Sequence, residues 1–204
     1  MTATNRGAAR DPRDFYRTPK WAVEALLGLE DIRGNILDPG CGDGAILSVL
    51  SEREGVEGAL GVELDPELAS RAVEAGALGR LDVVTGDFLE YAEKVSPHRA
   101  FDAVVGNPPY RLAADFARAS LGCVRPGGKV ALLLRLNFLG SSRKRLDLVG
   151  TGSALVHLVV LSRRPSFTGD GKTDATDYAW FVWEVGGRSP TRDLGIRVTV
   201  AEPE

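Results

Sequence analysis

Cysteine and histidine are scarce in this chain. Its 204 residues include two of each, Cys41 and Cys123, His98 and His157, all far apart. Two cysteines make no disulfide framework, and no Cys/His spacing resembles a zinc site. Neither histidine neighbours a recognisable nucleophile motif, so a Ser/His/Asp or Cys/His centre has little to be built from. Metal-dependent and covalent mechanisms are therefore not expected. Long apolar runs are missing too. None reaches the roughly 20 residues that span a bilayer, and residues 1–13 are polar, without the apolar stretch of a secretory signal. The expectation is a cytoplasmic protein that makes no use of a membrane. An overall positive charge is also absent: the net charge of −3 argues against a surface made for nucleic acid throughout. The charge is unevenly spread, however. Residues 135–172 carry Arg135, Arg143, Lys144, Arg145, Arg163, Arg164 and Lys172 against only Asp147 and Asp170. Such a stretch is either a solvated surface or a phosphate-facing edge.

What is present is an ordinary globular composition, 44% hydrophobic and 26% charged, enough for one domain with a sizeable core. Residues 1–13 are small, polar and Arg-bearing, and read as a disordered arm. Thr18-Pro19 reads as a helix opening, with Thr18 as N-cap and Pro19 at the first helical position. Short apolar strands are then expected at 35–38, 59–64, 81–85, 101–106 and 129–134. Helices are expected around Ile46, Leu47, Val49 and Leu50, from Pro66 to about 75, and at about 112–123. This alternation implies βαβ units and a parallel sheet covered on both faces. A short basic helix follows at about 141–149, then a sixth strand at 155–161. The Gly- and Asp-rich loop 168–177 leaves no room for a crossover helix, so the strand 178–185 is expected to be antiparallel. Residues 196–201 offer a further edge strand.

Unusual residues gather at the carboxyl ends of these strands, where open α/β sheets bind ligands. The first set is Asp38-Pro39-Gly40-Cys41-Gly42-Asp43-Gly44. Its glycines allow close approach and positive φ, the next helix offers free N–H groups, and a carboxylate suits a cationic amine. Asp38 and Asp43 would repel a pyrophosphate, and the Gly-x-Gly-x-x-Gly spacing of a dinucleotide fold is absent. Glu63, at the end of the second strand, can accept from both hydroxyls of a ribose. Asp87 and Phe88 close the third strand, where an acid can accept from an adenine amine and a ring can lie against the base; a turn aspartate alone would look the same. Asn107-Pro108-Pro109-Tyr110 closes the fourth. Two prolines remove N–H donors and stiffen the backbone. The Asn107 side-chain oxygen and the Pro108 carbonyl can then accept both hydrogens of an –NH2 group, with Tyr110 stacked on its ring. An aromatic amine delocalises its lone pair into the ring, and two acceptors draw it toward pyramidal geometry. Transfer to it would be a direct displacement resting on positioning and dipoles. The alternative is a plain strand-ending turn, which Asn-Pro favours.

The order Phe15-Tyr16-Arg17-Thr18-Pro19, the Asp38 to Gly44 loop, Glu63, Asp87-Phe88 and Asn107-Pro108-Pro109-Tyr110 resembles the amino-methyltransferases that make N6-methyladenine in DNA. The resemblance spans residues 15–184. Residues 164–174 and 180–183 are similar to small phage- and prophage-type adenine methyltransferases. The resemblance implies a Rossmann-like class I methyltransferase fold: a seven-stranded, mostly parallel sheet with an antiparallel last strand and helices on both faces. It implies S-adenosylmethionine as cofactor, S-adenosylhomocysteine as product, and no metal. Tyr16, Thr18 and Pro19 would sit near the methionine part. Asp38 and Gly40 would contact the amino-acid moiety, with Cys41 and Gly42 beside them. Glu63 would bind ribose, Asp87 with Phe88 would hold adenine, and Leu64 would also contact the cofactor. Asn107, Pro108, Pro109 and Tyr110 would form the catalytic turn. Tyr110 and Phe167 would hold a flipped base, while Lys172, Arg143, Lys144 and Arg145 would face the nucleic acid. A base inside a duplex must be extruded to reach such a site. The expected location is then the cytoplasm, or that of the host cell for a phage-encoded chain.

There is one departure. Sequence-specific members carry a sizeable target-recognition domain, whereas here residues 14–204 read as a single methyltransferase domain and only about 136–154 could form a small recognition element. Relaxed specificity, a homodimer, or another nucleic acid as substrate would each account for that. The same turn also serves RNA base methyltransferases and protein glutamine-N5 methyltransferases, and both stand as alternatives to double-stranded DNA. Trp21, Trp180 and Trp183 read as core; Phe138, Leu146 and Leu148 read as core in the first place and otherwise as a wedge into a base step; Cys41 and Cys123 read as small buried apolar residues.

Overall fold

The computed structural model describes residues 16–75, 81–140, 143–150, 153–167, 173, 175–186 and, as backbone, 195–199. The arm at 1–13 and Lys172 lie outside the described residues. Alternating strands and helices form one sheet with helices around it. The strands are β1 (Gly34–Pro39), β2 (Val56–Glu63), β3 (Leu81–Thr85), β4 (Phe101–Gly106), β5 (Val124–Arg135), β6 (Leu155–Leu161), β7 (Tyr178–Glu184) and β8 (Gly195–Thr199). The helices are α1 (Lys20–Leu29), α2 (Ala45–Ser51), α3 (Pro66–Ala75), α4 (Phe88–Val95), α5 (Ala113–Cys123) and α6 (Leu146–Val149). The spatial order is β3-β2-β1-β4-β5-β7-β6-β8. Only β7 runs against its neighbours, β5 and β6, and β8 adds an eighth, parallel edge strand beside β6.

The sheet separates two apolar layers because side chains alternate across it. On β5, Val130, Leu132 and Leu134 join the layer under α4 and α5; Ala131 and Leu133 join the layer under α1 and α2. β7 does the same, with Ala179, Phe181 and Trp183 on one side and Tyr178, Trp180 and Val182 on the other. Trp180 and Trp183 are fully buried. Each indole N–H finds a carbonyl, Trp180 Nε1 donating to Ala22 O at 2.7 Å and Trp183 Nε1 to Leu148 O at 2.8 Å. These bonds pin α1 and α6 to opposite faces, and an unpaired buried donor would cost about 1–3 kcal/mol. Phe138 and Leu148 are core, but Leu146 is 60% exposed, so the expectation of core fails there. Cys41 and Cys123 are buried free thiols.

Several local expectations change. Helix α1 starts at Lys20, with Pro19 at the cap position and no side-chain cap; Thr18 spends its hydroxyl elsewhere. Pro126-Gly127-Gly128, which reads in the sequence as a turn before the fifth strand, forms an irregularity inside β5, since Phe101 pairs with Val124 but Ala103 with Lys129, and Gly127 adopts φ +85°. Helix α4 is an addition to the elements expected from sequence; Asp87 caps it, accepting from Leu89 N at 2.7 Å and Glu90 N at 3.3 Å. The basic segment is a 3₁₀ turn at Arg143–Arg145 running into the single turn of α6. No helix among the described residues is long and apolar enough to cross a membrane.

Candidate functional site

The chain builds outward from β1 to β3 and then returns to β4 on the other side of β1. That reversal leaves a crevice between the carboxyl ends of β1 and β4, the usual ligand position in such sheets. The two loops there approach closely. A Cβ on Gly106, at the end of β4, would lie 2.8 Å from Pro39 Cδ and 3.1 Å from Asp38 Oδ1, so only glycine fits. Across the crevice, Gly40, Gly42 and Gly44 all adopt left-handed φ, between +57° and +80°. That explains why glycine recurs at every second position: the backbone reverses tightly to deliver Gly44 to the start of α2.

Glu63 is the hub of this edge. It is 9% exposed at the end of β2, and its Oε2 accepts from Gly42 N at 2.8 Å while Oε1 accepts from Asp65 N at 2.9 Å. The loop after β1 and the loop after β2 are thereby held to one carboxylate. Asp38 is handled differently. It is fully buried, and among the described residues neither of its oxygens has a hydrogen-bond partner. Burial, and then the nearby charge of Glu63, hold its carboxyl well above the usual carboxylate range. Burial likewise pushes the Cys41 thiol up, with Asp38 and Glu63 adding to it, so this cysteine is no thiolate nucleophile.

A cavity of about 830 Å³ opens over these loops. Tyr16, Thr18, Gly40, Cys41, Gly42, Glu63, Leu64, Asp87, Phe88 and Asn107 border it; of the expected cofactor residues only Pro19 and Asp38 do not. Asp38 lies behind the wall, and Pro19 sits at the α1 cap. Phe88 is 3% exposed and packs its ring 4.9 Å from that of Phe116, so it is wall and core at once. Arg17, within the Phe15–Pro19 segment but with no role expected from the sequence, also joins the site. It pairs with Asp43 at 2.7 Å and ties the segment before α1 to the glycine loop. An unpartnered buried acid, a left-handed glycine loop and an acid at the end of β2 make a donor and acceptor set that fits an amino-acid-bearing nucleoside.

Asn107 lines the same cavity from the β4 side. Its Nδ2 donates to Tyr16 O at 3.1 Å and to Thr18 Oγ1 at 3.0 Å. A backbone carbonyl can only accept, so the amide nitrogen must face Tyr16 and the amide oxygen is presented away from it. This is the use of the Thr18 hydroxyl, and it explains why the Thr-Pro segment and the Asn-Pro-Pro turn occur in one chain.

Tyr110 and Phe167 do not touch each other in any close ring pair. Both join a cluster with Tyr16 and Tyr178. Tyr16 stacks on Tyr110 at 5.7 Å and meets Phe167 edge-on at 5.6 Å; Tyr178 lies 5.8 Å from Tyr110 and 5.1 Å from Phe167. Tyr178 carries no sequence signal for the site, because nothing in a strand pattern marks a strand-end tyrosine as more than core; Arg135, which completes this group, stands out in the sequence only as one cation of the basic stretch 135–172. The basic trio is split. The Arg145 guanidinium lies 4.8 Å over the Phe138 ring and donates to Gly140 O, so it serves its own segment. Arg143 and Lys144 are exposed, and the Lys144 carbonyl accepts from Arg118, which also grips Asp147 at 2.7 and 3.0 Å.

Parts of this chain are similar to known proteins. The chain is 34% identical over 106 residues to the modification methylase CviBIII of Paramecium bursaria Chlorella virus NC1A, a match covering 50% of this chain and 27% of that protein. It is 38% identical over 103 residues to the ribosomal protein L11 methyltransferase of Xylella fastidiosa, covering 48% and 31%. It is 28% identical over 141 residues to the rRNA N(6)-adenosine-methyltransferase metl-5 of Caenorhabditis elegans, covering 63% and 64%. The chain thus spans about a quarter to a third of the length of the first two. Among solved structures, one from Listeria monocytogenes described as a class I S-adenosylmethionine-dependent methyltransferase superposes with a TM-score of 0.61 over 95% of this chain and 68% of that one, at 16% identity, which shows the fold. Residues 25–154 match the family model described as methionine biosynthesis protein MetW. The chain therefore belongs to that family and is an S-adenosylmethionine-dependent methyltransferase.

Proposed function

We propose that the chain methylates the exocyclic N6 amine of adenine in DNA, taking the base out of the duplex to reach it. The observation that carries this reading is the orientation of Asn107. Its amide nitrogen is committed to Tyr16 and Thr18, so its oxygen is the group offered to a substrate donor. The Pro108 carbonyl, next along the turn, would supply a second acceptor. Two acceptors and no donor suit an –NH2 group, and they favour the pyramidal nitrogen of the transition state over the planar one of the ground state. S-adenosylmethionine, when bound, supplies an electrophilic sulfonium methyl. Asp38 and Gly40 would hold its amino-acid end, with Cys41 and Gly42 alongside. Glu63 would hold the ribose, and Leu64, Asp87 and Phe88 the adenine. Asp87 keeps one carboxylate oxygen for this, since Oδ1 alone caps α4. Tyr16, Thr18 and Pro19 would close the methionine side. Tyr110 and Phe167 would take the acceptor base, with Arg143 and Lys144 toward its phosphates and Lys172 as a further candidate.

The MetW match ends at residue 154, so Phe167 and Tyr178 on the acceptor side lie outside it. A second reading, adenine in RNA, is favoured by the metl-5 match, which runs through 64% of that protein against 27% for CviBIII. Labelled methyl transfer offered to unmethylated DNA, total RNA and a protein extract in parallel decides between them. The expected product is N6-methyladenine in the DNA digest. Label confined to RNA or to protein overturns the reading.

A further inference from the structure

Arg135 has no part in the chemistry proposed so far, yet it touches the residue on which the acceptor is placed. It is the last residue of β5, and its register partner across the ladder is Tyr178 on β7. Its guanidinium carbon lies 4.6 Å from the centroid of the Tyr110 ring, and its Nε donates to Tyr178 Oη at 3.3 Å. Tyr178 is 1% exposed, so that hydroxyl is a fixed point of the core rather than a mobile surface group. Tyr110 is different: it begins the short turn between β4 and α5 and is half-buried, and its ring is held by Arg135 together with the rings of Tyr16 and Tyr178 packed against it. A guanidinium over a tyrosine face contributes about 0.5–2 kcal/mol, more when partly desolvated. A planar fork held by a strand at one end and by a buried phenol at the other restricts the ring under it.

We propose that Arg135 is a positioning residue for the methyl acceptor: seated on Tyr110 and braced by Tyr178, it fixes the plane against which the acceptor ring lies. This rests on the reading that the acceptor stacks on Tyr110. Direct displacement needs the reacting atoms at roughly 3–3.5 Å in near-linear alignment. A ring free to tilt shifts an amine at the far edge of the stacked base out of that line, so the loss appears chiefly in kcat. A phosphate contact at Arg135 would instead act on affinity and on its salt dependence. Lysine would replace a phosphate contact adequately but not a stacked, hydrogen-bonded fork.

The experiment compares Arg135→Met, Arg135→Lys and Tyr178→Phe with the wild type, on whichever acceptor the wild type labels. If that acceptor proves to be RNA or protein, the proposed substrate fails while Arg135 is still tested. The expected result for Arg135→Met is a fall in kcat of about 10- to 100-fold, with acceptor KM raised a few-fold at most. S-adenosylhomocysteine affinity by calorimetry, the salt slope of acceptor binding and the melting temperature stay close to wild type. Arg135→Lys recovers little of the loss, and Tyr178→Phe shows the same kcat signature, smaller. Wild-type kcat in Arg135→Met overturns the proposal. So does recovery by Arg135→Lys together with a flattened salt slope in Arg135→Met, which would make the residue a phosphate contact. A joint fall in melting temperature and cofactor affinity also overturns it, by reducing Arg135 to a structural brace.

Discussion

Glu30 and Asp38 are acids buried almost equally, at 3% and 0% exposure, near opposite edges of one sheet. Glu30 follows α1 at the edge where the strands begin. Lys129 Nζ on β5 stands 2.8 Å from its carboxylate and His157 Nδ1 on β6 stands 2.7 Å away. One side chain thereby ties α1 to two strands. Asp38 lies where the strands end, with Glu63 near it and, among the described residues, no hydrogen-bond partner on either oxygen. A buried acid with partners is part of the scaffold. A buried acid without them costs stability, and it persists where a cation arrives from outside. The first edge can be explained from the chain alone; the second is completed by a ligand.

The sharpest way to break this contrast is at the ligand edge. Asn107→Ala is expected to lower methyl transfer by about 10²–10³-fold, the loss typical of removing one transition-state hydrogen-bonding group. Cofactor affinity measured by calorimetry should stay within a few-fold, because the glycine loop and Glu63 do not depend on it. Substantial turnover in the variant would remove Asn107 from the chemistry. Thr18→Val tests the same point more gently: it removes one of the two acceptors that orient the amide, and a several-fold fall in kcat is expected, without loss of folding.

At the scaffold edge the expected effect is on stability. Lys129→Met takes the ammonium from the Glu30 carboxylate and leaves it buried beside His157. Breaking a buried pair in this way costs about 3–5 kcal/mol, on the order of 10 °C in melting temperature for a chain of this size. Cofactor affinity measured below the new melting point should not change. Equal melting temperatures would show that Glu30 is stabilised by something other than its pairing with Lys129.

Asp38→Asn reverses the sign. The Asp38 carboxyl in the folded protein lies well above its usual range, while in the unfolded chain it titrates near 3.9. Between those limits the folded state holds a proton that the unfolded state has lost, so stability falls as pH rises through the window. Removing the charge removes that loss. Asp38→Asn should melt several degrees higher than wild type at neutral pH and converge with it in acid. Its S-adenosylhomocysteine affinity should fall at least tenfold, since the variant removes the acid that stands behind the cavity wall toward the ammonium end. A lower melting temperature at neutral pH would mean that the charge is already compensated.

How much of this is legible in the sequence follows from the range of the interactions. β1 to β4 and the antiparallel β7 are legible because period, apolar runs and loop length are local signals. The loops at the carboxyl ends are legible because glycine and proline mark backbone shapes that few other residues adopt. Helix α4 is not, since an aspartate that caps a helix looks the same as one that holds a ligand, and a single carboxylate can serve both. Thr18 misleads for a related reason: a threonine before a proline looks like a helix cap, and only the fold brings it 3.0 Å from an amide 89 residues away. Arg135, Tyr178 and the Glu30 group are out of reach because each joins residues far apart in the chain through tertiary contact.

The smallest expected effect concerns the rim of the ligand edge. Arg143, Lys144 and Arg145 read alike in sequence, but the structure separates them: Arg145 is spent on Phe138 and Gly140, while Arg143 and Lys144 are exposed. If the partner is a nucleic acid, removing one cation that meets a phosphate reduces the salt slope of binding by about 1. Arg143→Ala with Lys144→Ala should therefore lower the slope by up to about 2 and weaken binding equally across sequences. Arg145→Ala should leave the slope alone and lower the melting temperature by a few degrees, because it removes a cation from the Phe138 ring and a donor from the Gly140 carbonyl. A slope that responds to Arg145 and not to the other two would move the phosphate path off the tip of this segment and onto its inner face, beside Phe138, and would make the cation on the ring a substrate contact rather than a fastening of the fold.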